Sequence, residues 1–260
     1  GEGTGDITPA EPSTWQGTNY GYCFGGYAPT TDRIYRYSFT SDGNATDHAN
    51  CFTTLLNPMG CRSATYGYIL GGRTAPPEIP VDHITKFLFA SSNNATDVSN
   101  LTQARGMGFA SSNATHGYYA GGRDLAVPDH NWSIRIDKFS FSSDGNATNV
   151  GNTTQSQGSG KRARTGCQSY YYGYVLGGEP TTDVIEKYSF ASDGNASDVG
   201  DLLAGNKLGA GGSGYTHGYF TGGSPYSNVV QKFAYETDGD GTDIGDLSMA
   251  MMEHCGNAQH

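Results

Sequence analysis

The chain has 260 residues, with 39 Gly, 18 Tyr and 11 Phe against 15 Lys+Arg and 25 Asp+Glu, for a formal net charge of −10. That balance excludes nucleic acid as a partner, because a phosphate backbone needs clustered Lys and Arg, and it disfavours docking on an anionic membrane. No stretch approaches the roughly 20 apolar residues of a spanning helix, so no membrane insertion is expected.

In chain order, residues 1–18 carry no periodic pattern and are read as a lead-in segment. The first unit opens with Tyr20-Gly-Tyr-Cys-Phe-Gly-Gly26, a hydrophobic strand closed by two glycines. Ile34, Arg36, Tyr37 and Phe39 follow with the period-two alternation of a half-buried strand, and Ser41-Asp-Gly-Asn-Ala-Thr-Asp47 supplies a hairpin turn. The second unit adds a strand in front, Met59-Gly-Cys-Arg-Ser63, then repeats the phrases at Tyr66–Gly72, at Ile84, Lys86, Phe87 and Phe89, and in a turn ending at Asp97.

The third unit has Gly108-Phe-Ala-Ser111, His116–Gly122, Ile136, Lys138, Phe139 and Phe141, and a turn ending at Asn149. The fourth has Gly166-Cys-Gln-Ser169, Tyr172–Gly178, Ile185, Lys187, Tyr188 and Phe190, and a turn ending at Asp198. The fifth has a first strand around Gly212, then His217–Gly223, Val230, Lys232, Phe233 and Tyr235, and a turn ending at Asp243. Glu253-His-Cys-Gly-Asn257 reads as one more first strand without its repeat, while the N-terminal unit lacks one.

Four strands recurring about every 50 residues are the signature of a propeller blade. The expected fold is all-β: a five-bladed β-propeller of four antiparallel strands per blade, closed by pairing the N- and C-terminal segments in one blade. The expected blades are 19–50 with 250–260, 51–100, 101–155, 156–203 and 204–249, in a single domain over 19–260.

Spacing separates a constant face from a variable one. From Cys61, Ser111, Cys167 and Gly212 to Gly71, Gly121, Gly177 and Gly222 the separation is always 10, and from Arg36, Lys86, Lys138, Lys187 and Lys232 to the end of the following turn it is always 11. From the glycine pair to the basic residue it is 11, 15, 17, 10 and 10, and from one unit's turn end to the next first strand it is 14, 14, 18, 14 and 12. In a four-stranded meander these two variable connections share one face of the disk. Loops on a rigid scaffold are where binding resides, so the candidate ligand-binding residues are Tyr27, Arg73, Arg123, Asp124, His130, Trp132, Arg162, Arg164 and Tyr226. An aromatic beside basic and carboxylate groups can stack on a sugar ring or anchor a protein; the plainer alternative is solvated connections with a locally packed Trp.

The glycine pair closing a hydrophobic strand, followed by a basic-aromatic strand, resembles kelch and galactose-oxidase-type propellers, although the fourth-strand Trp of kelch is absent: the chain has only Trp15 and Trp132. The Ser-Asp-Gly-Asn-Ala-Thr/Ser-Asp string joined to Gly-Tyr-x-x-Gly-Gly resembles the repeat propellers of marine bacteriophage structural proteins, including those of cyanophages, over residues 19–260. The resemblance implies a virion component such as a tail appendage. Other virion or extracellular structural proteins are the expected partners, with surface glycans as a further class.

Other motifs favour plain readings. The five cysteines are 23, 51, 61, 167 and 255; Cys61, Cys167 and Cys255 share a first-strand position and are expected as small buried thiols lining the central channel, with a bridge from Cys51 to Cys61 or Cys23 left open. Asp238-Gly-Asp-Gly-Thr-Asp243 resembles part of a calcium loop but lacks the twelfth-position Glu, so a hairpin is expected. The same turns resemble the Asp-box of sialidases, without its Trp. His116 and His217 replace the Tyr of other units and read as packing variants rather than metal ligands. No nucleophile motif, phosphate loop or copper-ligand set stands out, so neither cofactor nor enzymatic activity is expected. Asn-X-Ser/Thr sites occur at Asn44, Asn94, Asn100, Asn113, Asn131, Asn146, Asn152 and Asn195, four of them the repeated turn.

Overall fold

The computed structural model describes residues 19–26, 30–74, 79–124, 133–154, 165–178 and 181–252. Among them every regular element is a strand. Blade 1 is β1 (Tyr20–Phe24), β2 (Arg33–Ser38) and β3 (Thr46–Asn50); blade 2 is β4 (Met59–Arg62), β5 (Tyr66–Leu70), β6 (His83–Leu88) and β7 (Thr96–Asn100). A two-residue strand, β8 (Arg105–Gly106), precedes blade 3, which comprises β9 (Phe109–Ser112), β10 (His116–Ala120), β12 (Arg135–Ser140) and β13 (Thr148–Asn152); β11 (Arg123–Asp124) lies in its long loop and pairs with β8. Blade 4 is β14 (Thr165–Gln168), β15 (Tyr172–Gly178), β16 (Thr182–Ser189) and β17 (Ser197–Asn206); blade 5 is β18 (Ala210–Ser213), β19 (His217–Thr221), β20 (Ser227–Ala234) and β21 (Thr242–Met251).

The five sheets stand in a ring as a β-propeller, four with four antiparallel strands and blade 1 with three among the described residues. Residues Glu253–Asn257, the expected first strand of blade 1, lie outside the described residues, as does the lead-in. In all five blades the third and fourth strands share a register slip after Ile34, Ile84, Ile136, Ile185 and Val230, and blades 4 and 5 add a second one after Thr182 and Ser227. Such a recurrent bulge sharpens the twist that lets neighbouring blades nest.

Period-two alternation puts apolar side chains on both faces of each sheet, and these meet between blades. Tyr68, Leu70, Ile84 and Leu101 of blade 2 pack on Tyr119, Phe139 and Ala147 of blade 3, and equivalent clusters fill the seams between blades 1 and 2, 3 and 4, and 4 and 5. At each of these seams a second-strand Tyr stacks on an aromatic ring of the next blade: Tyr22 on Phe89 at 5.0 Å, Tyr68 on Phe141 at 4.7 Å, Tyr118 on Phe190 at 4.8 Å and Tyr174 on Tyr235 at 5.0 Å. Each stack adds about 0.5–1.5 kcal/mol beyond its buried area. The Gly within the Tyr-Gly-Tyr phrase makes room for the third-strand ring. A Cβ at Gly67 would lie 2.3 Å from the Phe87 ring, and the same holds at Gly117 with Phe139 and Gly218 with Phe233.

Two polar devices repeat at the seams. The third-strand Lys reaches the Asp of the next blade's hairpin, Lys86 to Asp144 at 2.6 Å, Lys138 to Asp193 at 2.8 Å, and Lys187 to Asp238. The hairpin Asn accepts a backbone N–H from the preceding blade: Asn94 from Asn50, Asn146 from Asn100 and Asn195 from Asn152, with Asp240 serving Asp201 in the same way. Asp238 and Gly239 take left-handed turn conformations (φ 54° and 104°), so Asp238–Asp243 acts as a hairpin and a seam contact.

Candidate functional site

The variable connections, second to third strand and blade to blade, lie together on the face opposite the constant turns. They tie to one another through their backbones. Gly71 sits at φ 57°, where a Cβ would come within 2.2 Å of the Arg105 carbonyl oxygen, so the glycine pair lets the strand end turn tightly under the linker of the next blade. The Gly72 N–H donates to the Arg105 carbonyl at 2.9 Å, and Arg73 exchanges backbone hydrogen bonds with Leu56 at 2.8 and 3.0 Å. In blade 3 the β8–β11 ladder pairs Arg123 with Gly106 and Asp124 with Arg105. In blade 5 the Ser224 N–H donates to the Lys207 carbonyl at 2.7 Å.

Beneath this face, a buried polar side chain on the third strand holds the preceding linker. Asp137, with no exposed area, accepts from the Thr102 N–H at 2.8 Å and hydroxyl at 2.7 Å, and pairs with the equally buried Arg105 at 2.8 Å. Arg105 also donates to the Ser133 hydroxyl at 2.7 Å and to the Tyr119 carbonyl at 3.3 Å, with its guanidinium 5.0 Å from the Tyr119 ring centre. Burial pushes the Arg105 pKa down, and the Asp137 carboxylate opposes that shift. Burial raises the Tyr119 phenol to about 12, against the pull of Arg105. Glu186 and Gln231 occupy the equivalent position of blades 4 and 5 and bond Thr154 and the Leu203 N–H.

Of the residues proposed from sequence, Arg73, Arg123 and Tyr226 are described with their side chains. They stand on the loop face, on blades 2, 3 and 5. Arg73 and Arg123 are half-buried and Tyr226 is 68% exposed. Tyr226 is held at the tip of a short turn closed by the Ser227 N–H donating to the Gly223 carbonyl at 3.2 Å. Asp124 is placed by its backbone pairing; Tyr27, His130, Trp132, Arg162 and Arg164 lie outside the described residues. The Arg105–Asp137 pair was not singled out from sequence. Its trace there is partial: Asp137 and Glu186 are carboxylates where Tyr35, Thr85 and Gln231 stand in other units, and an Arg lies in the linker before blade 3.

On the opposite face the constant turns leave Tyr170, Tyr171 and Tyr215 exposed. There Lys86 lies 4.7 Å from the Tyr66 ring centre and Lys187 4.8 Å from that of Tyr172. His116 and His217 take the same position as these rings, and each Nδ1 hydrogen-bonds the preceding Thr hydroxyl at 2.8 Å. Burial, then Lys138, lowers the His116 pKa. Cys23, Cys51, Cys61 and Cys167 carry no disulfide. The sulfur atoms of Cys61 and Cys167 lie against Gly117 and Gly218 of the following blades. Among the described residues no three His, Cys, Asp or Glu side chains are grouped to hold a metal ion.

No protein-family profile matches the chain, and no curated protein matches it in sequence. Among solved structures, that titled "Structure of YjhT" superposes with a TM-score of 0.77 over 94% of this chain and 85% of that one, at 12% identity, a likeness of fold alone.

Proposed function

We propose that the chain is a non-enzymatic binding or attachment module, a virion or extracellular structural protein that docks partner proteins or a host surface through its variable loop face. The observation that carries this reading is the division between the faces. Turns on one face keep constant length and take part in seam contacts, whereas all length variation falls on the other, over linkers anchored by backbone ladders and the Arg105–Asp137 pair. A scaffold that fixes the ends of its loops lowers the entropy lost on engaging a target. The resemblance of the repeat to marine phage structural proteins supports the virion setting.

The exposed, backbone-anchored Tyr226 favours a second reading, a lectin that stacks a sugar ring on this face. Both are tested by copurification from source particles and by glycan-array binding. Tyr226→Ala and Trp132→Ala are expected to weaken whichever interaction is found by about tenfold, the effect of a hot-spot aromatic, while Tyr215→Ala on the opposite face leaves it unchanged. Loss on Tyr215→Ala alone overturns the assignment of the face, and turnover of a sugar substrate overturns the non-enzymatic reading.

A further inference from the structure

At three seams the third-strand lysine is met by a carboxylate from the next blade's hairpin: Lys86 by Asp144, Lys138 by Asp193 and Lys187 by Asp238. The seam between blades 1 and 2 changes both members of this pair. Arg36 stands in the lysine position, alone among the five units, and Ser92 stands where the other hairpins have Asp42, Asp144, Asp193 and Asp238. The cation is kept and its carboxylate is replaced by a neutral hydroxyl.

The packing holds Arg36 in place without supplying a substitute. Its guanidinium carbon lies 4.5 Å from the Tyr20 ring centre, a cation–π contact. Arg36 also bears on Tyr22, whose phenol pKa is raised by burial and pulled back down by the guanidinium. Tyr22 in turn stacks on Phe89, which leads into Ser91 and Ser92, so Arg36 faces the blade 2 hairpin as the lysines face theirs. Yet Arg36 makes no ion pair among the described residues, and one buried polar atom from each blade lacks a hydrogen-bond partner there, Arg36 Nε and Ser91 Oγ. Ser92 and Asn93 are exposed, as is Tyr20 at 40%, which leaves the place of the missing carboxylate reachable from solvent.

We propose that this seam takes a carboxylate from outside the chain, an Asp or Glu side chain of a partner polypeptide seated against Arg36 and the Ser91 and Ser92 hydroxyls. A planar guanidinium offers a carboxylate two parallel N–H donors, where an ammonium offers a point charge. That accounts for arginine at the seam whose acceptor is not built in. The polypeptide carrier follows from the other seams, where the same place is filled by the Asp of a tight turn, Asp144-Gly145, Asp193-Gly194 or Asp238-Gly239. The site belongs to the constant face, so it is independent of the docking proposed for the variable loops.

The probe is a capped Ser-Asp-Gly-Asn peptide, the turn of blades 1, 3 and 4, titrated into the isotope-labelled chain while the Arg36 Nε–H and Ser92 N–H signals are followed by NMR. Saturable shifts of both are expected, half-complete at about 1 mM, the strength of a single charge-assisted contact. A Ser-Asn-Gly-Asn peptide should shift neither. Arg36→Gln should abolish the Ser92 response, and Arg36→Lys should weaken it about three- to tenfold by losing the fork. Ser92→Asp, which restores the residue of the other hairpins, should abolish binding and raise the urea midpoint, with a retained spectrum showing that the fold is intact. No shift with the Asp peptide, or a shift that survives Ser92→Asp, overturns the proposal. Glucuronate binding more tightly than the peptide overturns the polypeptide carrier and assigns the site to a sugar acid.

Discussion

Asp137→Ala tests whether the loop face is held from beneath. The substitution removes the partner of a fully buried Arg105 and leaves the Thr102 N–H and hydroxyl without their acceptor. Stranding one half of a buried ion pair costs about 3–5 kcal/mol. In a domain of this size each kcal/mol moves the melting temperature by about 2–4 °C, so a fall of about 6–20 °C is expected in scanning calorimetry. Asp137→Asn keeps an acceptor for Thr102 and should fall between the two. Replacing both partners by apolar groups, Arg105→Met with Asp137→Leu, removes the charges together and should recover most of the loss, since desolvation consumes much of what a buried pair contributes. If Asp137→Ala melts within about 2 °C of wild type, or the double variant is no better than the single one, the pair does not anchor the linker and the reasoning fails.

Gly67→Ala, which drives a Cβ to 2.3 Å from the Phe87 ring, should cost about 1–3 kcal/mol of overpacking by urea titration. Gly145→Ala, whose nearest neighbour lies at 3.5 Å, should stay within about 0.5 kcal/mol; similar values for both refute the ring-clearance account. The folded His116 pKa lies below the unfolded value of 6.5, so the unfolded chain takes up its proton first as pH falls, and stability drops through the window below 6.5. His116→Tyr, the residue found in blades 1, 2 and 4, should reduce the loss in urea midpoint between about pH 7.5 and 5.5, and an unchanged pH slope contradicts it.

Much of the wheel was legible because its repeat is written in residues with few structural alternatives. Glycine pairs, alternating aromatics and Asp-Gly or Asn-rich turns at constant spacing dictate strand, turn and strand again, and four strands every 50 or so residues leave a propeller as the arrangement that buries both faces. The spacing also separated the two faces of the disk. Less legible was what lies under the loops. Asp137 and Arg105 are 32 residues apart in sequence and meet only because a linker from blade 2 crosses the third strand of blade 3.

The thiols show the same limit: the repeat placed Cys61 and Cys167 on inner strands, but that their sulfur atoms lie against Gly117 and Gly218 of the following blades follows only from how the sheets pack face to face. Local pattern alone therefore determined the blades, their number and the face that varies, since backbone conformation and one-sided burial are decided within a few residues. Which polar groups are sealed together and where each buried side chain points were decided by the assembled ring. Those outcomes depend on neighbours a whole blade away, and no window of sequence contains them.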